Sequence, residues 1–180
     1  LGMNLRGRTL GIYGYGKIGS LVAGFGRAFA MRVLVWGREG SLSRASHDGF
    51  ELASSKEDLF SQSDVLSLHI KLDSSTRGLI TSADLALMKS GALLVNTSRA
   101  ELIESGALIA GLERGHPTFA AVDVYEEEPV THHPLLDHPN ALCTPHLGYV
   151  EHDSYELYFR TAFEQVLAFD AGNPIGLLAL

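Results

Sequence analysis

The sequence has little of what several classes of protein require. Its 180 residues include one cysteine, Cys143, which excludes an internal disulfide framework and fits a reducing compartment. The formal net charge is −7 without a basic cluster, which disfavours a nucleic-acid partner. No apolar run approaches the length of a membrane span, and Arg6 and Arg8 interrupt the start where a signal peptide needs its apolar region. We therefore expect a cytoplasmic protein that binds neither nucleic acid nor membrane.

The length and composition are those of one ordinary globular domain. A chain of 180 residues can bury one good core, and we do not expect a second full domain. Hydrophobic residues make up 46% of the chain and charged residues 19%, as in typical soluble proteins.

A glycine-rich segment near the N-terminus carries the clearest motif. Thr9–Tyr13 reads as a buried strand, and Gly14, Gly16 and Gly19 supply the pattern G-x-G-x-x-G. A helix is predicted over residues 17–29, with these apolar residues on one stripe: Ile18, Leu21, Val22, Phe25 and Phe29. Because strand, turn and helix follow in the required order, we interpret the motif as a dinucleotide-binding turn rather than a plain tight turn.

Each glycine of the motif meets a separate steric need. Gly14 lets the chain turn sharply out of the strand, and Gly16 lets the backbone approach a pyrophosphate without a Cβ in the way. Gly19 lets the helix pack closely on the sheet. The N-terminus of the helix then directs its free N–H groups at the phosphates.

Strands alternate with helices along the rest of the chain. Strands are predicted at 31–36, 50–53, 64–69, 92–97, 119–124 and 141–145. Capping patterns predict helices that start at Ser54 (with Glu57) and at Thr81 (with Asp84), and further helices run over 105–114 and about 152–171. Residues 37–49 are a loop or a short helix. The pattern predicts an α/β fold, a doubly wound parallel sheet of the Rossmann type with a long C-terminal helix.

Polar residues fall at the predicted strand ends, where ligands bind in such sheets. They are Gly37-Arg38-Glu39, His69, Asn96-Thr97-Ser98-Arg99, Asp123 and His146. So many chemically capable residues at one edge predict a single site.

Among these residues, a set suits hydride transfer to a 2-keto acid. Arg99 is a permanently charged fork that matches a carboxylate. His146 is a candidate acid/base, and Glu128 in the acidic run 126–128 is a candidate partner that stabilises its protonated form. From residue type alone, a surface salt bridge, a capped loop histidine and a solvated turn explain the same residues equally well.

Four segments carry a specific sequence signature: Gly14-Tyr-Gly-Lys-Ile-Gly19, Asn96-Thr-Ser-Arg-Ala-Glu-Leu-Ile, Val122-Asp-Val-Tyr-Glu-Glu-Glu-Pro129 and Thr144-Pro-His-Leu-Gly148. Their sequences closely resemble the cofactor-binding domain of the D-isomer-specific 2-hydroxyacid dehydrogenases. They occur in the family's order, and the resemblance covers nearly the whole chain.

The resemblance implies roles for individual residues. Arg99 would anchor the substrate, His146 would be the acid/base and Glu128 its partner, without a metal. Asp123 would contact the nicotinamide carboxamide, and the backbone of Lys17 and Ile18 would hold the pyrophosphate. The remaining residues implied in the cofactor site are His69, Thr76, Thr97, Ser98 and Gly148.

The chain departs from the family pattern most at the end of the second strand. Members that prefer NAD usually place an acid after the aromatic residue, whereas this chain has Trp36-Gly37-Arg38-Glu39. Gly37 removes the repulsion against a 2′-phosphate, and Arg38 is placed to pair with it. Glu39 lies about twenty residues beyond the glycine motif and is an alternative ligand for the ribose. We expect NAD(P) as cofactor and favour NADP.

Smaller departures lie nearby. Ala100 follows Arg99 where glycine is common, and His69-Ile-Lys71 stands where His-x-Pro is usual. Tyr149 follows Gly148 where a small residue is common, and is a candidate for shaping the substrate pocket.

Members of the family also have a smaller substrate domain that closes over the site, and their final helix returns to it. We therefore interpret residues 1–180 as the dinucleotide-binding domain of a longer enzyme, expected to bind cofactor but to turn over poorly alone. The family also suggests a homodimer formed through this domain.

Rival interpretations remain open. The first is a non-catalytic NAD(P)-binding sensor or interaction module on the same fold, which would have no chemical need for Arg99, Glu128 and His146 together. The second is a metal enzyme, drawing on these residues: His132, His133, His138, Cys143 and His146. Their spacing matches no zinc pattern. The 2-hydroxy acid itself is not specified by this sequence.

Overall fold

The computed structural model describes residues 4–178. Its strands are β1 (Thr9–Tyr13), β2 (Arg32–Trp36), β3 (Glu51–Leu52), β4 (Val65–Leu68), β5 (Leu93–Asn96), β6 (Phe119–Val122) and β7 (Ala141–Cys143). Its α-helices are α1 (Lys17–Ala28), α2 (Glu39–His47), α3 (Lys56–Gln62), α4 (Ser82–Ala86), α5 (Ala107–Arg114) and α6 (His152–Asp170). Short 3₁₀ helices span Ala100–Leu102 and Pro134–Asp137.

The strands form one seven-stranded sheet in the order β3-β2-β1-β4-β5-β6-β7. Every pairing is parallel, and the order turns back on itself beside β1, as a doubly wound sheet requires. The predicted fold class is therefore confirmed.

Helices cover the sheet from two sides, and each side has its own apolar core. On one side Ile12 and Val35 pack with Ala23 of α1 and Ala45 of α2. The core on the other side is larger and brings together α3, α4 and α5 through these buried residues among others: Leu59, Phe60, Leu66, Leu85, Leu94, Leu108 and Leu112.

Helix α1 presents small residues to the sheet and large ones to solvent. Its buried residues are Gly19, Ala23 and Gly26. A Cβ on Gly26 would lie 2.6 Å from Leu10 Cδ2, so the helix is too close to β1 for a larger side chain. The large members of the predicted stripe, Ile18, Leu21, Phe25 and Phe29, are each more than 60% exposed. The periodicity is present, but it marks the outward face.

Helices α2, α3 and α4 begin at or near the predicted positions. Residues 39–47 form α2, so the short-helix alternative for 37–49 is the correct one. The cap of α3 is Ser55 rather than the predicted Ser54: Ser55 Oγ accepts from Asp58 N, and Asp58 in turn accepts from Ser54 N. The predicted pair was shifted by one residue because Ser-Ser offers two equivalent registers. The Thr81–Asp84 capping box is confirmed.

The chain divides into two compact units, Leu1–Pro145 and His146–Leu180. The first contains the whole sheet. The second contains α6, capped by the Glu151 carboxylate, which accepts from Asp153 N and Ser154 N. Within the described chain α6 has no buried residue. No helix among residues 4–178 combines the length and the apolarity that crossing a membrane demands.

Candidate functional site

The register of the sheet aligns the predicted residues at one edge. A row of paired residues crosses the sheet through these positions: Trp36, Tyr13, Leu68, Asn96, Val122 and Cys143. The next residue of each strand stands one step beyond that row, at the carboxyl edge: Gly37, Gly14, His69, Thr97, Asp123 and Thr144. The sheet therefore brings together positions that lie far apart in the sequence, at the edge where such sheets bind ligands.

The glycine turn after β1 meets the steric needs read from the motif. Gly14 has φ +97°, and a Cβ there would lie 2.6 Å from the His69 carbonyl oxygen. A Cβ on Gly19 would lie 2.1 Å from the carbonyl oxygen of Gly14. Gly16 differs, because a Cβ there would meet no atom within 4 Å. The space in front of Gly16 is open, as a backbone that approaches a bound phosphate requires.

The N-terminus of α1 opens onto this space. Gly16 is its N-cap and offers no side-chain acceptor, and the first turn contains no acidic residue. Its first N–H groups are thus available to an anion. These observations fit the pyrophosphate of a dinucleotide cofactor.

Two adjoining clefts run along the edge, of about 400 and 430 Å³, and share Gly16, His69, Ile70 and Lys71. The first is further lined by predicted residues at the ends of β1 and β2 and in the loop after β4: Gly14, Gly37, Arg38 and Thr76. The second is further lined by predicted residues of α1 and of the loop after β5: Lys17, Ile18, Thr97, Ser98 and Arg99. A long ligand fits this layout, with one end beside β2 and the other beside β5.

At the end of β2, Gly37 lies in a snug position between α2 and the glycine turn. A Cβ on Gly37 would lie 3.3 Å from Ser41 Cβ and 3.6 Å from Gly14 Cα. Arg38 is the N-cap residue of α2, and its guanidinium forms an ion pair with Asp73 at 3.3 Å. Glu39 begins α2 and is not among the residues that line either cleft.

The segment after β4 forms the wall shared by the clefts. Ser67 Oγ lies 2.9 Å from His69 Nε2. Burial lowers the pKa of His69 to about 4, so the imidazole is neutral at neutral pH. The buried Thr76 hydroxyl donates to the Lys71 carbonyl at 2.8 Å and accepts from Asp73 N at 2.8 Å. The Thr76 hydroxyl therefore stabilises the conformation of the loop over residues 71–76.

The loop after β5 is organised by Asn96, which the sequence placed at a strand end beside the site but to which it assigned no role. Its side chain is 1% exposed. Its Oδ1 accepts from Ser98 N at 3.1 Å and its Nδ2 donates to the Arg99 carbonyl at 2.9 Å. Ser98 Oγ donates to the Leu68 carbonyl at 2.7 Å. The position of Asn96 at the end of a buried strand could have indicated this positioning role.

Arg99 itself stands free of carboxylates. The side chain is exposed, its Nη1 donates to the Ser98 carbonyl at 2.6 Å, and it forms no ion pair within residues 4–178. A guanidinium placed so at the mouth of a cleft is available to an incoming carboxylate.

Two acidic residues follow β6 and are held differently. Asp123 is buried and accepts a hydrogen bond from Thr144 Oγ1. Glu128 accepts from Tyr125 N at 3.0 Å, and the Tyr125 hydroxyl donates to the Thr144 carbonyl at 3.1 Å. Burial raises the pKa of Tyr125, so its hydroxyl stays protonated and fixes this corner.

His146 and Gly148 lie in the second unit. His146 has φ +57°, an uncommon backbone conformation for a residue with a side chain. Its ring packs edge-on against Tyr149, with centroids 5.4 Å apart. Strain of this kind is often found at functional positions.

Two of the other histidines that were candidates for a metal site have structural partners. His133 Nδ1 accepts from Leu135 N at 3.2 Å, and His138 Nδ1 accepts from Asn140 N at 3.2 Å. Across residues 4–178 no group of three or more His, Cys, Asp or Glu side chains is arranged to hold a metal ion.

Comparison with known proteins gives a consistent result. The family model for the D-isomer specific 2-hydroxyacid dehydrogenase, NAD binding domain, matches residues 1–148. A glyoxylate reductase from Aeropyrum pernix is 42% identical over 96% of this chain and 52% of its own length. A D-3-phosphoglycerate dehydrogenase from Bacillus subtilis is 37% identical over 97% of this chain and 33% of its own length.

A solved structure is similar to this chain in both fold and sequence. The crystal structure of a phosphoglycerate oxidoreductase from Vibrio cholerae superposes with a TM-score of 0.92 at 53% identity, covering 96% of this chain and 55% of that one. The chain therefore spans about half the length of that structure and of the Aeropyrum relative, and a third of the Bacillus one.

Proposed function

The chain belongs to the D-isomer specific 2-hydroxyacid dehydrogenase family, with its NAD-binding domain at residues 1–148, and from this membership we propose that it serves hydride transfer between NAD(P)H and a small 2-keto acid. The observation that carries the proposal is the open space at Gly16, between two glycines at which a Cβ would strike a backbone carbonyl oxygen. It lies at the same sheet edge as the exposed Arg99 guanidinium. Glyoxylate is a sensible first substrate to test, because a relative 42% identical is a glyoxylate reductase.

The glycine turn would hold the cofactor through backbone groups. The N–H groups of Lys17 and Ile18 at the start of α1 would bind the pyrophosphate, with the helix dipole adding to the attraction. His69 stays neutral and adds no charge beside it. Thr97, Ser98 and Asp123 would receive the nicotinamide end, which supplies the hydride when bound.

At the adenosine end we favour NADP over NAD. Gly37 places no acid where a 2′-phosphate would lie, and the exposed guanidinium of Arg38 is the cation available to it. Glu39 begins α2 but is not among the residues that line the cleft, which makes it the weaker candidate for a ribose ligand.

The substrate would be handled by three side chains. Arg99 would bind the carboxylate of the 2-keto acid and orient its carbonyl. His146 would give a proton to the carbonyl oxygen during reduction and take one back during oxidation. Glu128, held by Tyr125 N, would keep the imidazolium form available by stabilising its charge. Gly148 beyond His146 completes the proposed set.

Two parts of the proposal concern the surroundings of the domain. The exposed apolar residues of α6, such as Phe159 and Phe163, would pack on a substrate domain of the longer enzyme. The outward stripe of α1 would contribute to a homodimer, since contiguous apolar patches mark protein interfaces. Sedimentation of the wild type and of Phe25→Glu tests the homodimer, and we expect the variant to be monomeric.

A cytoplasmic location fits the single cysteine.

The first experiment titrates the chain with NADH and with NADPH and follows the fluorescence of Trp36, which lines the cleft beside β2. We expect both to bind, NADPH more tightly, and Arg38→Ala to remove the difference. Binding of neither by a folded chain would overturn the proposal.

The second experiment adds glyoxylate and follows NADPH absorbance. We expect slow consumption that His146→Gln abolishes. Cofactor binding without any consumption, also in the presence of longer 2-keto acids, would favour a non-catalytic sensor on this fold. Fast turnover by these 180 residues alone would contradict the need for a further substrate domain.

A further inference from the structure

An ion pair joins the two loops that border the adenosine end of the proposed cofactor site. Arg38 follows β2, and Asp73 belongs to the loop after β4. Arg38 Nη2 lies 3.3 Å from Asp73 Oδ2. Arg38 lines the cleft together with Ser75 and Thr76 from the loop of Asp73.

The Asp73 carboxylate is a fixed anion rather than a passing surface contact. Its Oδ1 accepts from Ser75 N at 2.9 Å and from Ser75 Oγ at 2.6 Å. These hydrogen bonds, more than Arg38, lower the pKa of Asp73 to about 2. The backbone of Asp73 is held as well, because its N–H donates to Thr76 Oγ1.

The two oxygens of the Asp73 carboxylate have different partners. Oδ1 is committed to its own loop, and Oδ2 is directed at Arg38. The Arg38 side chain is 74% exposed, and its guanidinium has no such hydrogen bonds to its own loop. The anion is thus preorganised and the cation is free to change partner.

We propose that Asp73 is a specificity-determining residue for the cofactor, which lowers the preference for NADPH over NADH by competing with the 2′-phosphate for Arg38. The proposal rests on the proposed function, since it presumes that the adenosine end of the cofactor lies beside Arg38. No acid at the end of β2 is needed, because the opposing charge comes from the neighbouring loop.

The physical reason is a change of partner with a cost. A 2′-phosphate that takes Arg38 leaves Asp73 without its cation and adds negative charge near it. NADH lacks that phosphate, so it binds without disturbing the pair. Both groups face solvent, so the effect should weaken as salt is added.

The test compares NADPH, NADH and adenosine 2′,5′-bisphosphate on wild type and Asp73→Asn. The asparagine keeps an oxygen for Ser75 N and removes the charge. We expect Asp73→Asn to bind NADPH and the bisphosphate about 3- to 10-fold more tightly, with NADH affinity within about twofold of wild type. In an Arg38→Met background the same substitution should have a clearly smaller effect on NADPH and the bisphosphate, because only the direct repulsion between Asp73 and the phosphate is left, and no effect on NADH.

Controls separate this local effect from general charge. Glu113→Gln removes one exposed carboxylate from α5, and we expect no change in affinity for either cofactor. Circular dichroism and thermal unfolding check that Asp73→Asn keeps its fold. Asp73→Ser provides a second neutral variant if the first unfolds.

The outcomes distinguish the two proposals. If both cofactors bind to wild type and Asp73→Asn changes neither, changes both equally or weakens NADPH, the role of Asp73 is wrong while the proposed function stands. If wild type binds neither cofactor, the proposed function fails and the role of Asp73 fails with it.

Discussion

The turn after β1 and the loop after β5 lie at the same edge of the sheet, yet they are built differently. Residues 14–19 are shaped by the absence of side chains, since a Cβ on Gly14 or Gly19 would strike a backbone carbonyl. Residues 96–99 are shaped by the presence of one side chain, the buried amide of Asn96. The turn is therefore specified by close approach of backbone segments, and the loop by hydrogen bonds of side chains.

This difference predicts how each region fails. A substitution in the turn should act through overlap of atoms, which the fold cannot relieve by a rotamer change. A substitution in the loop should act through unsatisfied polar groups. The open position, Gly16, is the exception in the turn, and a substitution there should affect binding more than folding.

The largest effect is expected from Gly19→Ala. The new Cβ would lie 2.1 Å from the carbonyl oxygen of Gly14, and backbone must move to accept it. We expect a loss of about 3 kcal/mol in the free energy of unfolding, measured by urea denaturation.

Gly24→Ala is the matched control on the same helix. A Cβ there meets no atom within 4 Å, so the substitution should stabilise the chain by about 0.5–1 kcal/mol through helix propensity. Equal effects of the two alanines would show that overlap in the turn does not govern its stability.

A smaller loss is expected from Asn96→Ala in the loop after β5. Removal of the amide leaves Ser98 N–H and the Arg99 carbonyl without their partner, at a cost of about 2 kcal/mol in unfolding free energy. Asn173→Ala, at an exposed asparagine, should change stability by less than about 0.5 kcal/mol. If Asn96→Ala were as mild as its control, water would be serving the loop in place of the amide.

The same contrast explains which features the sequence could predict. The roles of Gly14, Gly16 and Gly19 follow from their spacing between a strand and a helix, although the carbonyl that a Cβ on Gly14 would strike belongs to His69, far along the chain. The parallel sheet follows from alternating strands and helices. Each of these depends on short-range pattern.

Other features depend on contacts between distant segments. The sequence shows the apolar stripe of α1 and the close packing of Gly19 on the sheet, but only the structure reveals that Ala23 and Gly26 share that face and that Phe25 faces outward. In the same way, the sequence does not indicate a role for Asp73, because its contact with Arg38 depends on where β4 places the following loop. Ser55 takes the cap from Ser54 because the register of α3 is set by burial of Leu59 and Phe60.

The smallest effect should come from Gly16→Ala, and it separates folding from binding. Gly16 has φ −97°, which alanine adopts without strain, and its Cβ would enter open space. Unfolding free energy should fall by about 1 kcal/mol or less, as for an alanine at an N-cap. The added methyl group would stand where the pyrophosphate approaches, so we expect affinity for NADH and NADPH to fall about tenfold, or 1.4 kcal/mol. Fluorescence titration of Trp36 measures this, with Gly24→Ala expected to bind as wild type does. Undiminished affinity in Gly16→Ala would mean that the phosphates do not approach the backbone at this glycine, and the turn would then be a packing device like the rest of α1.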